Sequence, residues 1–194
     1  MTDKLTANEV LSIAFNENGY IETPDNDTKF GKQLGINPAQ WCYLFVRWCF
    51  KESGFPKAIP SGAYTPAAVE GFKTKFQWHD KGVPKAGDVL FFDIPDDNVD
   101  RVSHAGLFVK VCTDGTWLTI EGNTSPTKLG SQRNGGQVAI KKRPASWIVG
   151  WGRPSYYPAA TPIVSVIRAA YKEEITPPKP AKKATKKATS NAKK

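Results

Sequence analysis

The stretch of sequence that decides the fold reads SHAGLFVKVCTDGTWLTIEGN over residues 103–123. Two runs rich in apolar and β-branched residues, at 104–112 and 116–121, flank the pair Asp114-Gly115. An Asp-Gly pair between two such runs is a strong hairpin signal, because both positions tolerate the backbone conformation of a tight turn. The stretch therefore predicts two neighbouring antiparallel strands.

Elements of two kinds lie on either side of this hairpin. Apolar residues at helical spacing predict helices upstream, over residues 7–16, 37–54 and 65–76. Further strands are predicted over residues 88–93, 137–142 and 147–151, separated by turn residues at 95–98 and 134–136. Helices followed by a run of strands indicate an α+β fold, with the N-terminal helices packed on an antiparallel sheet of about five to six strands.

The second predicted helix carries two of the three cysteines. Cys42 and Cys49 share one apolar stripe, and a free cysteine on such a stripe is ordinarily a small core hydrophobe. Cys42 differs in position, because it lies near the start of the helix, where unpaired N–H groups and the helix dipole favour a thiolate. Cys49 lies about 10 Å further along the axis, and Cys112 ends a strand, so both are predicted to be core residues.

A reactive thiolate needs a base, and the chain has only two histidines. His79 precedes a Lys-Gly turn and is predicted to be a loop residue. His104 opens a strand and is followed by Ala105 and Gly106, whose small size allows another group to approach closely. If the hairpin forms, Glu121 lies near the start of the His104 strand, where it can accept from one imidazole nitrogen while the other faces Cys42.

Five short motifs in this order resemble those of CHAP domains, the papain-like cysteine amidohydrolases and peptidases of bacterial cell-wall metabolism that are frequent in phage endolysins. The motifs are Trp-Cys-x-x-Phe-Val (41–46), Gly-Asp-Val-Leu-Phe-Phe (87–92), Ser-His-Ala-Gly-Leu-Phe-Val (103–109), Ile-Glu-Gly-Asn-Thr (120–124) and Gly-Trp-Gly-Arg-Pro (150–154). The resemblance extends over residues 5–155, and residues 19–31 are similar to phage members.

The resemblance implies a papain-like fold and a cysteine-dependent peptidoglycan hydrolase. It implies that Cys42 is the nucleophile, His104 the general base and Glu121 the residue that orients the histidine. Asn123 matches a polar fourth member, and it shares the face of Glu121 if the strand continues through Gly122. The bond cleaved, either the amide joining muramic acid to alanine or a stem-peptide or cross-bridge peptide bond, stays open.

Three further residues are candidates for substrate contact. Gln40 is a candidate oxyanion donor, and Trp41 and Trp117 are candidates to line a groove for glycan or peptide. No cofactor is expected. The alternative is calcium, which some relatives bind in an Asp-rich loop, although Asp25-Asn26-Asp27 lacks the further oxygen ligands and glycine of a defined calcium site.

The net charge of +9 is concentrated at one end of the chain. Residues 179–194 contain seven lysines and no acid, which leaves 20 basic and 18 acidic residues, a charge of +2, over residues 1–178. We predict a catalytic domain over 1–157, a linker with a short helix over 158–178, and a disordered tail over 179–194. The tail is either a polycationic arm for an anionic wall polymer or membrane surface, or a solubilising segment.

Other functional classes fit less well. The longest uninterrupted apolar run has six residues, far short of a membrane span. The N-terminus lacks the pattern of a secretory signal, and we expect a monomer that stays in the host cytoplasm until lysis or is carried in the virion. Nucleic-acid binding is disfavoured by the nearly neutral body. A non-catalytic wall-binding module is the remaining alternative.

Overall fold

The structure is a computed structural model that describes residues 4–75, 77–95, 101–127 and 129–157. Four helices precede most of the sheet. They are α1 (Ala7–Asn16), α2 (Lys29–Leu34), α3 (Cys42–Glu52) and α4 (Thr65–Thr74). The strands are β1 (Trp78–His79), β2 (Val89–Phe92), β3 (His104–Val111), β4 (Trp117–Thr124), β5 (Gln137–Arg143) and β6 (Ile148–Gly152), with a 3-10 turn at Ala145–Trp147.

The strands form one antiparallel sheet in the order β1-β6-β2-β3-β4-β5. Helices packed on a six-stranded antiparallel sheet confirm the predicted α+β class. The predicted hairpin is present, with Leu107 opposite Ile120 and Gly115 at a φ of 82° in the turn. This register places Glu121 opposite Gly106, two residues from His104 along β3.

Helix α1 has the predicted bounds, and the structure shows both the apolar face that predicts it and a cap at Thr6. Val10, Leu11 and Ala14 are fully buried, and the Thr6 hydroxyl accepts from the N–H of Glu9. Helix α3 carries the apolar stripe that predicts it, but it begins at Cys42 rather than at residue 37. The side chain of Asn37 binds the preceding loop instead, accepting from the N–H of Thr28.

The sheet is covered on both faces. Helix α3 packs on one face, against β3 and β4, within the larger hydrophobic core. The other face carries a smaller cluster of Leu90, Phe92, Ile94, Phe108, Trp117 and Trp151. Gly122 lets α3 approach β4 closely, since a Cβ there would lie 2.5 Å from the Cβ of Phe45.

Several predicted boundaries differ from the structure. Helix α4 ends at Thr74 rather than at residue 76, while β4 continues to Thr124, three residues beyond its predicted end. The short elements α2 and β1 carry too few residues for a periodic pattern and have no counterpart in the prediction. Most of the 95–98 turn, the 158–178 linker and the 179–194 tail lie outside the described residues. None of the described helices is long and apolar enough to span a bilayer.

Candidate active site

Cys42 is the first residue of α3 and lies at the floor of a surface cleft. Its exposed fraction is 3%, and the cleft has a volume of about 190 Å³. The cap residue, Trp41, makes no side-chain capping hydrogen bond. The N–H groups of the first turn of α3 are therefore not capped by the side chain of Trp41. The residues that line the cleft are Ala39, Gln40, Cys42, Ala63, Tyr64, Thr65, Arg101 and Ser103.

His104 is the first residue of β3 and is completely buried. Its Nε2 lies 3.0 Å from Oε2 of Glu121, and its ring packs against Phe92 with the centroids 5.6 Å apart. Nδ1 is the ring nitrogen that has no well-formed hydrogen bond within the described part of the chain. Because Nε2 is bound to Glu121, Nδ1 is the ring nitrogen that is left to interact with Cys42.

Burial acts on the charge state of His104 in one direction, and two neighbouring side chains act in the other. Burial alone would lower the pKa of the imidazole, because it disfavours the charged form. The neighbouring Cys42 side chain and Glu121 together outweigh burial and raise the pKa of His104 to about 9. The arrangement therefore favours an imidazolium beside the sulfur at neutral pH.

Glu121 is fully buried on the same sheet face as Thr119, as strand alternation predicts. The Thr119 hydroxyl donates to Oε1 at 2.5 Å. Burial by itself would raise the pKa of this carboxyl, but the charge and hydrogen bonds of Arg143, followed by those of His104, lower it well below its usual range. Glu121 is thus a buried carboxylate that is ionised at neutral pH.

Arg143 is the residue at this site that the sequence analysis did not identify. Its Nε donates to Oε1 of Glu121 at 2.9 Å and its Nη2 donates to Oε2 at 2.5 Å. The predicted strand ended at residue 142, whereas β5 includes Arg143. One available signal is the alternation of β5, which places residues 139, 141 and 143 on one face once the strand is extended.

Asn123 lies near the end of β4, where the pairing register shifts and the residue adopts a φ of 54°. Its Nδ2 donates to the side-chain oxygens of Asn26 and Asn134, at 3.2 and 3.0 Å, and its Oδ1 accepts from the N–H of Gly136. The strand continues through Gly122, but these bonds direct Asn123 to surrounding loops rather than to His104. Its role as a fourth catalytic member stays a prediction.

The two tryptophan candidates are core residues, and the prediction of substrate contact is wrong for both. Trp41 has no exposed surface, stacks on Phe30, and donates its indole N–H to Glu22. Trp117 is 9% exposed and packs in the cluster on the sheet face away from α3. Trp41 is part of the larger hydrophobic core, and Trp117 is part of the smaller cluster on the other sheet face. Gln40 is exposed and lines the cleft, as its proposed role requires.

The remaining cysteines and histidine lie outside this cluster. Cys49 has no exposed surface, and its burial raises the pKa of its thiol well above the ordinary value. Cys112 is also buried, at 6% exposure, and none of the three cysteines forms a disulfide bond. His79 lies in the short edge strand β1, not in a loop, and stacks on Trp151.

The acidic loop considered for calcium is engaged in other bonds. The Asp27 carboxylate accepts from the Nδ2 of Asn37 at 2.8 Å and from the Nζ of Lys32 at 2.9 Å. These hydrogen bonds, that of Lys32 first, lower the pKa of Asp27. Within the described ranges, no group of three or more His, Cys, Asp or Glu side chains is arranged to hold a metal ion.

Cys42, His104, Glu121 and Asn123 all fall within one stretch that matches a known family. Residues 35–123 match the model of the CHAP domain family. This match confirms the resemblance to CHAP domains that the sequence motifs indicate. It covers the cysteine helix, the histidine strand and most of the glutamate strand.

The chain was also compared with curated proteins and with solved structures. A comparison with curated proteins finds no match. Among solved structures, the chain is similar to the wild type endolysin LysIME-EF1, with 20% sequence identity and a TM-score of 0.48. The similarity covers 78% of this chain and 65% of that chain.

Proposed function

We propose that this protein is a peptidoglycan hydrolase that cleaves an amide bond with Cys42 as the nucleophile. The observation that carries the proposal is the buried line of side chains from Cys42 through His104 to Glu121, with the thiol at the floor of an open cleft. The CHAP match over the same residues supports the choice of substrate class. The resemblance of residues 19–31 to phage members favours a role in phage lysis.

The first half of the reaction forms a thioester. An imidazolium at His104 stabilises a thiolate at Cys42, and the sulfur attacks the carbonyl carbon of the scissile amide. A C–S bond forms while the carbonyl oxygen takes on negative charge. When the tetrahedral intermediate collapses, the C–N bond breaks and His104 gives its proton to the leaving amine.

The oxyanion that develops in this step needs hydrogen-bond donors. The N–H groups in the first turn of α3 and the exposed side chain of Gln40 are the donors we assign to it. Both belong to the segment that presents Cys42, so donor and nucleophile keep a fixed relation to each other. In the second half, water attacks the thioester with His104 as base, the C–O bond forms, and the thiolate leaves.

Glu121 prepares the histidine for both halves. As a carboxylate it accepts the Nε2–H of His104, which leaves Nδ1 as the nitrogen that exchanges a proton at the sulfur and the substrate. It also offsets the imidazolium charge in a site without exposed surface. These two effects are the reason for assigning Glu121 an orienting rather than a reacting role.

Two cysteine variants in the same helix test the proposal. Cys42→Ala should abolish the clearing of a suspension of purified cell walls, whereas Cys49→Ala, which removes a buried thiol two turns away, should keep it. Circular dichroism would verify that both variants fold. Wall clearing by the Cys42→Ala variant would refute the cysteine mechanism.

The products identify the bond. Mass spectrometry of fragments released from purified peptidoglycan would show a new N-terminal alanine together with a free muramic lactyl group for an amidase. New peptide termini within the stem or cross-bridge would indicate an endopeptidase. Release of fragments that carry only new reducing sugar ends would contradict an amide-cleaving enzyme altogether.

A further inference from the structure

We propose that Arg143 is a positioning residue, which holds the Glu121 carboxylate in the orientation and charge state that His104 requires. The proposal rests on the proposed cysteine chemistry and adds to it a residue that acts through Glu121 and not on the substrate. Arg143 lies in β5, two strands away from His104, and is itself 2% exposed.

The bonds around Glu121 fix both of its oxygens. Oε1 accepts from Nε of Arg143 and from the hydroxyl of Thr119, while Oε2 accepts from Nη2 of Arg143 and pairs with Nε2 of His104. The guanidinium fork thus engages both oxygens at once, a geometry that lysine cannot reproduce. A carboxylate held in this way cannot rotate, and His104 has one favoured tautomer and ring orientation.

Arg143 is in turn held by its own surroundings. Its Nη1 donates to Oε1 of Gln132 at 2.8 Å, and its Nη2 also donates to the hydroxyl of Thr124 at 3.1 Å. Its guanidinium lies over the rings of Phe92 and Trp147, with 5.9 and 5.5 Å between the guanidinium carbon and the ring centroids. A side chain anchored on four sides is a rigid support for the carboxylate.

The charges around Glu121 explain why a cation is required there. The ionisable groups that face it are His104 from β3 and Arg143 and Lys141 from β5, and Cys42 of α3 lies beyond the histidine. Lys141 directs its ammonium to the carbonyl of Ser125 at 2.5 Å, and burial together with Arg143 lowers its pKa. Of the two basic residues in β5, Arg143 is therefore the one in direct contact with the carboxylate, and its loss leaves only His104 to offset the effect of burial on the Glu121 pKa.

The test uses alkylation of Cys42 by iodoacetamide, followed across pH by peptide mass spectrometry. Thiolate reactivity requires the His104–Glu121 pair but not peptidoglycan, so the result does not depend on which bond the enzyme cleaves. In Arg143→Gln, we expect Glu121 to be protonated within the pH range of the acidic limb, which removes the carboxylate that supports the imidazolium. We expect that limb to move to higher pH by about one unit, a roughly tenfold loss of rate on the limb.

Two matched variants separate positioning from general stability. Arg143→Lys keeps a charge but not the fork, and it should keep the acidic limb with a lower rate. Arg153→Gln removes a guanidinium from Asp88, an ion pair with a distance of 2.6 Å outside the cleft. It should destabilise the fold and leave the pH profile of Cys42 unchanged.

A double-mutant comparison completes the test and covers the case in which Arg143→Gln does not fold. In the background Glu121→Gln there is no carboxylate for Arg143 to hold, and adding Arg143→Gln also removes an unpaired buried cation. The double variant should react at the same rate as Glu121→Gln alone. An additional loss of rate in that background, or an acidic limb unchanged in folded Arg143→Gln, would overturn the proposal.

Discussion

The proton on His104 is used in both halves of the proposed reaction, and its pKa therefore sets the alkaline limit of activity. That pKa is raised from an ordinary value of 6.5 to about 9. The imidazolium consequently persists through neutral pH and is lost as the pH rises through about 9. Without it, the leaving amine receives no proton and the thiolate loses its counter-charge.

We therefore predict that kcat/KM on a soluble peptidoglycan fragment falls on the alkaline side with a midpoint near pH 9. The measurement is a pH–rate profile at constant ionic strength, with a stability check at each pH. A midpoint near 6.5, the value of a solvated histidine, would mean that Cys42 and Glu121 do not act on the ring.

Glu121 differs from its two partners in what its loss should do. In Glu121→Gln the amide oxygen can still accept from Nε2 of His104, and activity should fall less than in Cys42→Ala or His104→Ala. Stability should fall more, by about 3–5 kcal/mol, because Arg143 keeps its charge in a buried site without a counter-ion. Urea unfolding and wall clearing of the three variants measure both quantities; a Glu121→Gln protein as stable as the wild type would contradict the buried ion pair.

Among the secondary-structure elements, the close pairing of β3 with β4 at Glu121 depends on a glycine. A Cβ at Gly106 would lie 2.5 Å from Cγ of Glu121 and 3.2 Å from the carbonyl oxygen of Ile120. Gly106→Ala should therefore push the carboxylate away from His104. We predict a loss of activity per folded molecule together with a destabilisation of about 1–3 kcal/mol.

A second glycine in the same sheet provides the control for this prediction. A Cβ at Gly150 would lie 2.7 Å from the carbonyl oxygen of His79, and it would clash with the ring of Trp78. Gly150→Ala should destabilise the sheet without changing the activity of the folded fraction, as determined by titration of Cys42. Equal activity losses in the two variants would show that the Gly106 effect is one of stability alone.

The elements that the sequence predicts well are those whose signal is local. Helix α1 has an amphipathic face and a threonine cap, and the β3–β4 hairpin has an Asp-Gly turn, so their existence follows from neighbouring residues. The approach of Glu121 to His104 follows from that hairpin and from strand alternation. Helix α2 has a cap at Thr28 and an end at Gly35, but its six residues are too few for a recognisable period.

The features that the sequence does not reveal depend on contacts between distant segments. Arg143 meets Glu121 because β5 pairs with β4. Arg143 is the last residue of β5, one position beyond the predicted end of that strand, so the prediction did not include it. Trp41 is assigned to the core only when Phe30 and Glu22 are known to surround it. An aromatic residue next to a cysteine at a helix start carries the same sequence signal whether its ring faces the cleft or the interior.

For the whole molecule, the candidate active site and the excess charge occupy different parts of the chain. The buried cluster joins Cys42 at the start of α3 to His104, Glu121 and Arg143 on the sheet. Residues 1–178 carry a net charge of only +2. Seven lysines follow in residues 179–194, outside the described residues. Catalysis and electrostatic attraction to an anionic surface can therefore be separated by truncation.

We propose that the lysine-rich segment holds the enzyme on an anionic wall polymer, and that removing residues 179–194 weakens this binding mainly at low salt. Charge–charge attraction is screened over about 10 Å at 0.1 M salt and about 3 Å at 1 M. Pull-down of the Cys42→Ala protein with purified walls should therefore show a large difference between full-length and truncated chains at low ionic strength and little difference at 1 M. Replacing the seven lysines by glutamine at constant length controls for chain length, and it should reproduce the truncation. Binding that is equal at both ionic strengths in all three proteins would leave the segment without a role in attachment, because an electrostatic tether cannot be indifferent to salt.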